Sequence, residues 1–79
     1  MVLPLNRLES GENGTIVWLA GSQTTRQRLF AIGFTPGECI FCIAKASRKE
    51  PGAYLIHDTV IALRDNNAGE IFIRLTKKK

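Results

Sequence analysis

The sequence has few cysteines and histidines and no long hydrophobic segment, and each shortage excludes a class of protein. Two cysteines in 79 residues cannot build the disulfide network that stabilises small secreted domains. No segment approaches the roughly 20 consecutive apolar residues of a membrane-spanning helix, and the first residues lack a basic region followed by a long apolar one. We therefore expect a cytoplasmic protein that does not insert directly into a membrane.

Motifs for catalysis and phosphate binding are also missing. Neither G-x-x-x-x-G-K-[ST] nor G-x-G-x-x-G occurs in the sequence, so no glycine-rich phosphate-binding loop is predicted. The single histidine, His57, has no serine or cysteine nearby in the sequence that it could activate as a nucleophile. We predict that the chain is not an enzyme.

The residues that are present are typical of a small folded domain. Hydrophobic residues make up 44% of the chain and charged residues 23%, which are ordinary values for a globular protein. A length of 79 residues predicts a single domain over 1–79. The net charge of +4 depends mainly on Lys77, Lys78 and Lys79, and we expect 76–79 to be a frayed basic tail.

Short apolar segments separated by turn residues predict a mainly β fold. One short helix is expected between the first two strands, and no connection is long enough for a parallel sheet. A small antiparallel barrel of about five strands fits this order and needs only a small core. The predicted strands are Thr15–Ala20, Glu38–Ala44, Tyr54–His57, Thr59–Arg64 and Glu70–Leu75, with a polar loop at Lys45–Gly52 and a helical turn or loop at Asp65–Gly69.

The helix and the corner that follows it have clear local signals. Thr24–Gln27 matches a capping box, which predicts the start of the helix. Gly33 supplies the left-handed conformation that ends many helices, and Phe34 is then expected to pack back onto Leu29. Thr35–Gly37 contains Pro-Gly and suits a type II turn, which leads directly into the next strand.

Strand alternation predicts that most aromatic side chains lie in the core. In the first strand Ile16 and Trp18 should share one face, with Val17 and Leu19 on the other, so we expect this strand to be well buried. Phe30 lies away from the apolar line of the helix and is expected to be partly exposed. An exposed aromatic groove for proline-rich peptides is therefore not predicted.

Cys39 and Cys42 form a C-x-x-C sequence that in another context would indicate metal or redox chemistry. Their odd spacing in a predicted strand directs them to opposite faces, so they cannot chelate one ion, and we interpret them as buried apolar residues. His57 and Asp58 could form a weak divalent-metal site that a second molecule completes. A closed zinc site usually needs four ligands, so no cofactor is expected to be required.

Basic residues on the helix and in the polar loop form a candidate partner-binding set. Arg26, Arg28 and Phe30 lie on the helix, and Arg48 and Lys49 lie in the loop. These cations could guide docking onto an acidic protein surface. An ordinary solvated face explains them equally well, so both interpretations stay open.

The sequence resembles the FeoA family over nearly its whole length, from Pro4 to Leu75. The resemblance rests on a leading leucine segment, an "rL..lG..pG..i" centre and a closing "iaLr...A..I.v". The matching residues are Pro4, Leu5, Leu8, Gly11, Ile16, Leu29, Ile32, Gly33, Pro36, Gly37, Ile40, Ile61, Ala62, Leu63, Arg64, Ala68, Ile71 and Ile73. The Lys45–Gly52 loop and the His57–Asp58 turn depart from the usual pattern of the family.

This resemblance implies an SH3-like barrel with a role in bacterial ferrous iron uptake. FeoA-type proteins are small accessory proteins of the membrane transporter FeoB, so the expected partner is its cytosolic GTP-binding domain, and the location is cytoplasmic or peripheral at the inner membrane. One alternative is a nucleic-acid-binding barrel that uses Arg48, Lys49 and the lysine tail, but it lacks a predicted stacking platform, and nucleic acid is not the expected partner. Another is a metal-responsive regulator whose oligomeric state depends on His57 and Asp58, which leaves a homo-oligomer open.

Overall fold

Residues 1–76 are described by the computed structural model, and they form six strands and three short helical segments. The elements are β1 (Val2–Pro4), a 3₁₀ turn (Leu5–Arg7), β2 (Asn13–Leu19), α1 (Gln23–Ala31), β3 (Cys39–Ala44), β4 (Gly52–Ile56), β5 (Thr59–Leu63), α2 (Asp65–Ala68) and β6 (Ile71–Leu75). The five predicted strands are all present. The sixth, β1, was not predicted because three residues are too few to show a strand pattern.

All strand pairings are antiparallel, in the order β1-β6-β2-β3-β4-β5. This confirms the predicted mainly β architecture with one short helix between the first two predicted strands. Backbone hydrogen bonds do not close the predicted barrel completely, because β1 and β5 are the two edges of the hydrogen-bonded sheet. A side chain spans this gap instead: Asn6 Nδ2 donates to Asp65 Oδ1 at 3.1 Å and so links the 3₁₀ turn to α2. The sheet is therefore barrel-like but open.

Helix α1 begins earlier than the capping box predicted. Ser22 is the N-cap, and its Oγ accepts a hydrogen bond from the Thr25 backbone N–H at 3.2 Å. Thr24 already lies inside the helix. Gly21, with φ of 95°, lets the chain turn directly before the cap, so Ser22 is placed to satisfy one of the free helix N–H groups.

The end of α1 confirms the predicted closure. Gly33 has φ of 105°, and its N–H donates to the Phe30 carbonyl at 3.0 Å. The Phe34 N–H reaches back to the Leu29 carbonyl at 2.9 Å, which completes a Schellman motif. Both Phe34 and Leu29 are buried. The Pro-Gly corner is also confirmed, since Gly37 has φ of 95° and the Glu38 N–H donates to the Thr35 carbonyl.

Strand β2 contains an irregularity that the sequence did not reveal. Its register with β6 shifts between Ile16 and Trp18, so the two-residue alternation is interrupted there. Ile16 and Leu19 are consequently both buried, whereas Trp18 is half exposed. The prediction that Ile16 and Trp18 share one face is therefore wrong.

The core lies on the concave side of the sheet and receives buried residues from every strand except β1, together with α1, α2 and the 3₁₀ turn, while Leu3 of β1 packs against it partly buried. A two-residue hairpin turn at His57 and Asp58, with φ of 52° and 61°, joins β4 to β5 as predicted. The buried cluster comprises Leu5, Leu8, Ile16, Leu19, Leu29, Phe34, Ile40, Cys42, Tyr54, Ile56, Leu63, Ala68, Ile71 and Ile73.

The end of the described chain continues the sheet by one hydrogen bond. The Thr76 N–H donates to the Asn13 carbonyl at 3.0 Å, so ordered pairing includes the first residue of the predicted tail. Lys77, Lys78 and Lys79 lie outside the described residues. Within 1–76, none of the helices has the length and apolar character that crossing a membrane requires.

Candidate partner-binding surfaces

Four of the six aromatic side chains lie on the outside of the sheet or on α1, which corrects the prediction that most point inward. Trp18 is 50% exposed, Phe30 47% and Phe41 36%, and Phe72 is partly exposed. The partial exposure of Phe30 is confirmed. Ile43 on β3 and Val60 on β5 are exposed as well. Exposed aromatic side chains that cluster on a surface are typical of sites that bind other molecules.

Three of the outer side chains form a row across the first half of the sheet. Pro4 on β1 is opposite Phe72 on β6, and Phe72 is opposite Trp18 on β2. The rings of Trp18 and Phe72 stack with their centroids 4.4 Å apart and their planes at 4°. Pro4, Phe72 and Trp18 are called the aromatic row below. Arg74 is the exposed cation two residues further along β6.

A second surface is a groove between α1 and the β5–α2 segment, with a volume of about 300 Å³. Arg28 and Ile32 lie one helical turn apart and both line it, and Ile32 is half exposed. Leu29 and Leu63 contribute buried apolar surface at its base. The α1 groove, as we call it, also includes Thr25, Ala31 and Asn67.

The structure separates the five predicted partner-binding residues rather than bringing them together. Arg28 lines the α1 groove. Arg26 and Phe30 lie one helical turn apart, on a face of α1 different from that of Arg28. The Nη1 of Arg26 donates to the Gly21 carbonyl at 2.7 Å. Arg48 lines another concavity, of about 250 Å³, with Glu50, Arg64 and Asp65, and Lys49 is exposed in the same loop. The five residues therefore do not form one continuous surface.

His57 has a partner that the sequence did not indicate. Its Nε2 lies 3.1 Å from Glu38 Oε1, because the β4–β5 turn lies beside the start of β3. Within residues 1–76 there is no group of three or more histidine, cysteine, aspartate or glutamate side chains placed to hold a metal. The divalent-metal site at His57 and Asp58 stays a prediction.

The two cysteines point in opposite directions, as the strand spacing predicted. Cys42 is buried, and its Sγ lies 3.5 Å from the Leu8 carbonyl oxygen, to which it donates. Burial raises the pKa of the Cys42 thiol, and Glu9 and Glu12 raise it further. Cys39 is exposed, so the expectation that both cysteines are buried is wrong for this one.

No sequence pattern indicates the residues that form the exposed aromatic surface. Two-residue alternation from Ile16 predicts that Trp18 lies in the core, and no residue pattern in this sequence indicates the bulge between them. Ile32 could have been found, since its spacing from Arg28 places both on one side of a helix. Glu38 could not, because its contact with His57 depends on the packing of two separate segments.

The FeoA domain family model matches residues 3–75. The chain belongs to the FeoA domain family. A relative from Porphyromonas gingivalis (strain ATCC BAA-308 / W83), a fusion of Fe(2+) transport protein A with the Fe(2+) transporter FeoB, is 31% identical over 71 residues. That alignment covers 90% of this chain and 8% of the fusion protein, so this FeoA domain corresponds to a small part of that relative.

Solved structures of FeoA proteins have the same fold. The crystal structure of an iron uptake regulatory protein, FeoA, superposes with a TM-score of 0.89 at 28% identity, covering 96% of this chain and 100% of that one. A FeoA-like protein from Clostridium acetobutylicum superposes with a TM-score of 0.85 at 19% identity, covering 99% of this chain and 91% of that one. The SH3-like fold expected for a FeoA domain is therefore confirmed.

Proposed function

We propose that this FeoA domain is a non-catalytic regulatory module of ferrous iron uptake that binds the cytosolic GTP-binding domain of a FeoB-type transporter. The observation that carries the proposal is the relative in which the matching segment and FeoB are parts of one fusion protein. The proposed location is the cytoplasmic face of the inner membrane, reached through this partner.

The fusion supports a direct interaction for a physical reason. A covalent linker keeps two modules at an effective concentration that is in the millimolar range for short flexible linkers. Fusion of two modules in one chain is typical of modules that function together. A FeoA domain on a separate chain must reach the same contact through its own binding affinity. Regulation then requires that the domain bind one conformational state of the transporter more tightly than another, because only differential affinity shifts an equilibrium.

The α1 groove is the contact surface that we favour. It combines buried apolar walls at Leu29 and Leu63 with a half-exposed Ile32 and the exposed cation of Arg28. Arginine beside an apolar pocket is a frequent arrangement at the energetic centre of protein interfaces. An acidic side chain of the partner would pair with Arg28 while an apolar side chain enters the groove.

Calorimetry with the isolated cytosolic domain of the transporter tests this proposal. The transporter domain is measured with a GTP analogue, with GDP and without nucleotide. We expect binding that differs between these states. Arg28→Glu should weaken it about tenfold or more, since loss of an interfacial charge pair exceeds 1.4 kcal/mol. Trp18→Ala is the matched control, because Trp18 is also half exposed but lies outside the groove. Absence of binding in every nucleotide state would contradict the proposal.

A second candidate function is weak binding of single-stranded nucleic acid, which the aromatic row favours. The sequence argued against it for want of exposed aromatics, yet Trp18 and Phe72 are outside and Arg74 is on the same strand as Phe72. Bases of any type can stack on such rings, so this binding does not depend on the nucleotide sequence. Trp18 is the only tryptophan, so its fluorescence reports binding directly. Quenching by an oligonucleotide that weakens steeply with salt would support this candidate, and unchanged fluorescence would remove it.

A further inference from the structure

The two edges of the sheet differ in how well they are protected against pairing with another strand. Edge strand β1 is three residues long and includes Pro4, and both short length and proline are common devices that prevent edge pairing. Edge strand β5 is five residues long, Thr59–Leu63, and contains neither proline nor a charged residue. By these criteria β5 is the unprotected edge.

The hairpin geometry shows which backbone groups of β5 face outward. Because the turn has two residues, Ile56 and Thr59 on either side of it form a hydrogen-bonded pair. Hydrogen-bonded and non-hydrogen-bonded pairs then alternate along the two strands. Val60 and Ala62 therefore direct their N–H and C=O groups away from β4. Among residues 1–76 these four groups make no hydrogen bond outside the sheet ladder. Val60 is 61% exposed, and Ala62 is exposed.

We propose that β5 is a self-association edge, on which a second copy of this chain adds its own β5 in antiparallel orientation. A two-fold axis at Ile61 would place Val60 opposite Ala62 of the second copy, and Ala62 opposite its Val60. Each of these pairs exchanges two hydrogen bonds, so the two sheets become continuous. The contact uses the same surface on both copies, as two-fold dimers require.

Charge complementarity identifies the occupant as a second copy and selects the register. In the arrangement centred on Ile61, Asp58 lies opposite Arg64 of the second copy, and the pair occurs twice. Both side chains are exposed, and neither takes part in the ion pairs found among residues 1–76. A shift by two residues would oppose Asp58 to an alanine or Arg64 to a valine. The strand is therefore complementary to itself in this register.

Sedimentation velocity of the natural chain at protein concentrations from about 10 µM to about 1 mM tests the proposal. This range covers the dissociation constants expected of a small interface. We expect a reversible monomer–dimer equilibrium that weakens with added salt, since the charge pairs are exposed. Val60→Pro should raise the dimer dissociation constant about tenfold or more, because it removes an outward N–H. Val60→Thr keeps this N–H and is the matched control. A chain that stays monomeric at about 1 mM would overturn the proposal.

Charge reversal gives a sharper test that does not depend on the stability of one variant. Arg64→Asp and Asp58→Lys should each weaken self-association about tenfold, because each places like charges opposite one another. An equimolar mixture of the two variants should associate about as well as the natural chain, since every pair is then of opposite charge. Circular dichroism of each variant establishes that it is folded. Failure of the mixture to associate, or dimers of Val60→Pro equal to those of Val60→Thr, would show that β5 is not the interface.

Discussion

The aromatic residues inside the sheet and those outside it differ in what they do for the molecule. Phe34 and Tyr54 are completely buried, whereas Trp18 and Phe30 are each about half exposed. Each of the four has at least one aliphatic residue within two positions in the sequence, so local hydrophobicity does not distinguish them. The difference shows that hydrophobic residues in this small domain are divided between a core that stabilises the fold and a surface that is available to partners.

The largest expected effect tests the inner side of this comparison. Phe34→Ala should lower the free energy of unfolding by about 3–5 kcal/mol, because it leaves a cavity under the end of α1. Phe30→Ala, on the half-exposed side of the same helix, should cost less than about 1 kcal/mol. Urea denaturation followed by circular dichroism measures both. Equal losses would contradict the division into core and surface aromatics.

A smaller effect concerns the other inner aromatic, Tyr54, whose hydroxyl has no hydrogen-bond partner among residues 1–76. Burial, followed by the nearby Cys42, raises the pKa of Tyr54 to about 12, and the Ala46 backbone N–H opposes this without reaching hydrogen-bond geometry. The pKa of tyrosine in an unfolded chain is about 10, so the unfolded state loses its proton first as the pH rises. The natural chain should then lose about 2 kcal/mol of stability between about pH 10 and pH 12.

The variant Tyr54→Phe isolates this effect from the titration of other groups. It removes a buried hydroxyl that lacks a partner, so stability at neutral pH should not fall. Thermal unfolding of both proteins at several pH values gives the difference. The natural chain should become less stable relative to the variant above about pH 10, and parallel curves up to pH 12 would refute the assignment.

The smallest effect sharpens the outer side of the comparison. Trp18→Ala should cost about 1 kcal/mol, because stacked aromatic pairs contribute about 0.5–1.5 kcal/mol beyond the area they bury. A double-mutant cycle with Phe72→Ala measures the coupling between the two rings that stack at 4.4 Å. A coupling energy near zero would mean that the aromatic row adds nothing to stability and is retained for another reason.

The sequence predicted the local turns better than it predicted the faces of the strands. Gly33, the Pro-Gly corner and the His57–Asp58 turn were all placed correctly, because each depends on the conformation of a few consecutive residues. The predicted start of α1 lies two residues after the observed one. Both Ser22 and Thr24 are good caps, and only the backbone geometry after Gly21 distinguishes them. Pairing of β1 could not be predicted from three residues.

The predicted partner-binding set shows the same limit. Arg26 and Arg28 are close in sequence, yet Arg26 donates to the Gly21 carbonyl and Arg28 lines the α1 groove. Arg48 was joined to them only by its charge, and it lines a different concavity. Charge and spacing in the sequence select these cations, but they cannot show which of them share a surface.

The amino-acid sequence by itself determined the mainly β class, the FeoA resemblance and the positions of the turns, because alternation and turn chemistry act within a few residues. Only the tertiary structure decided that Trp18 faces outward, that Glu38 meets His57 and that β5 is an unprotected edge. These features depend on register and pairing between strands that lie far apart in the chain. A shift of one residue in that pairing exchanges the inner and outer faces of a strand.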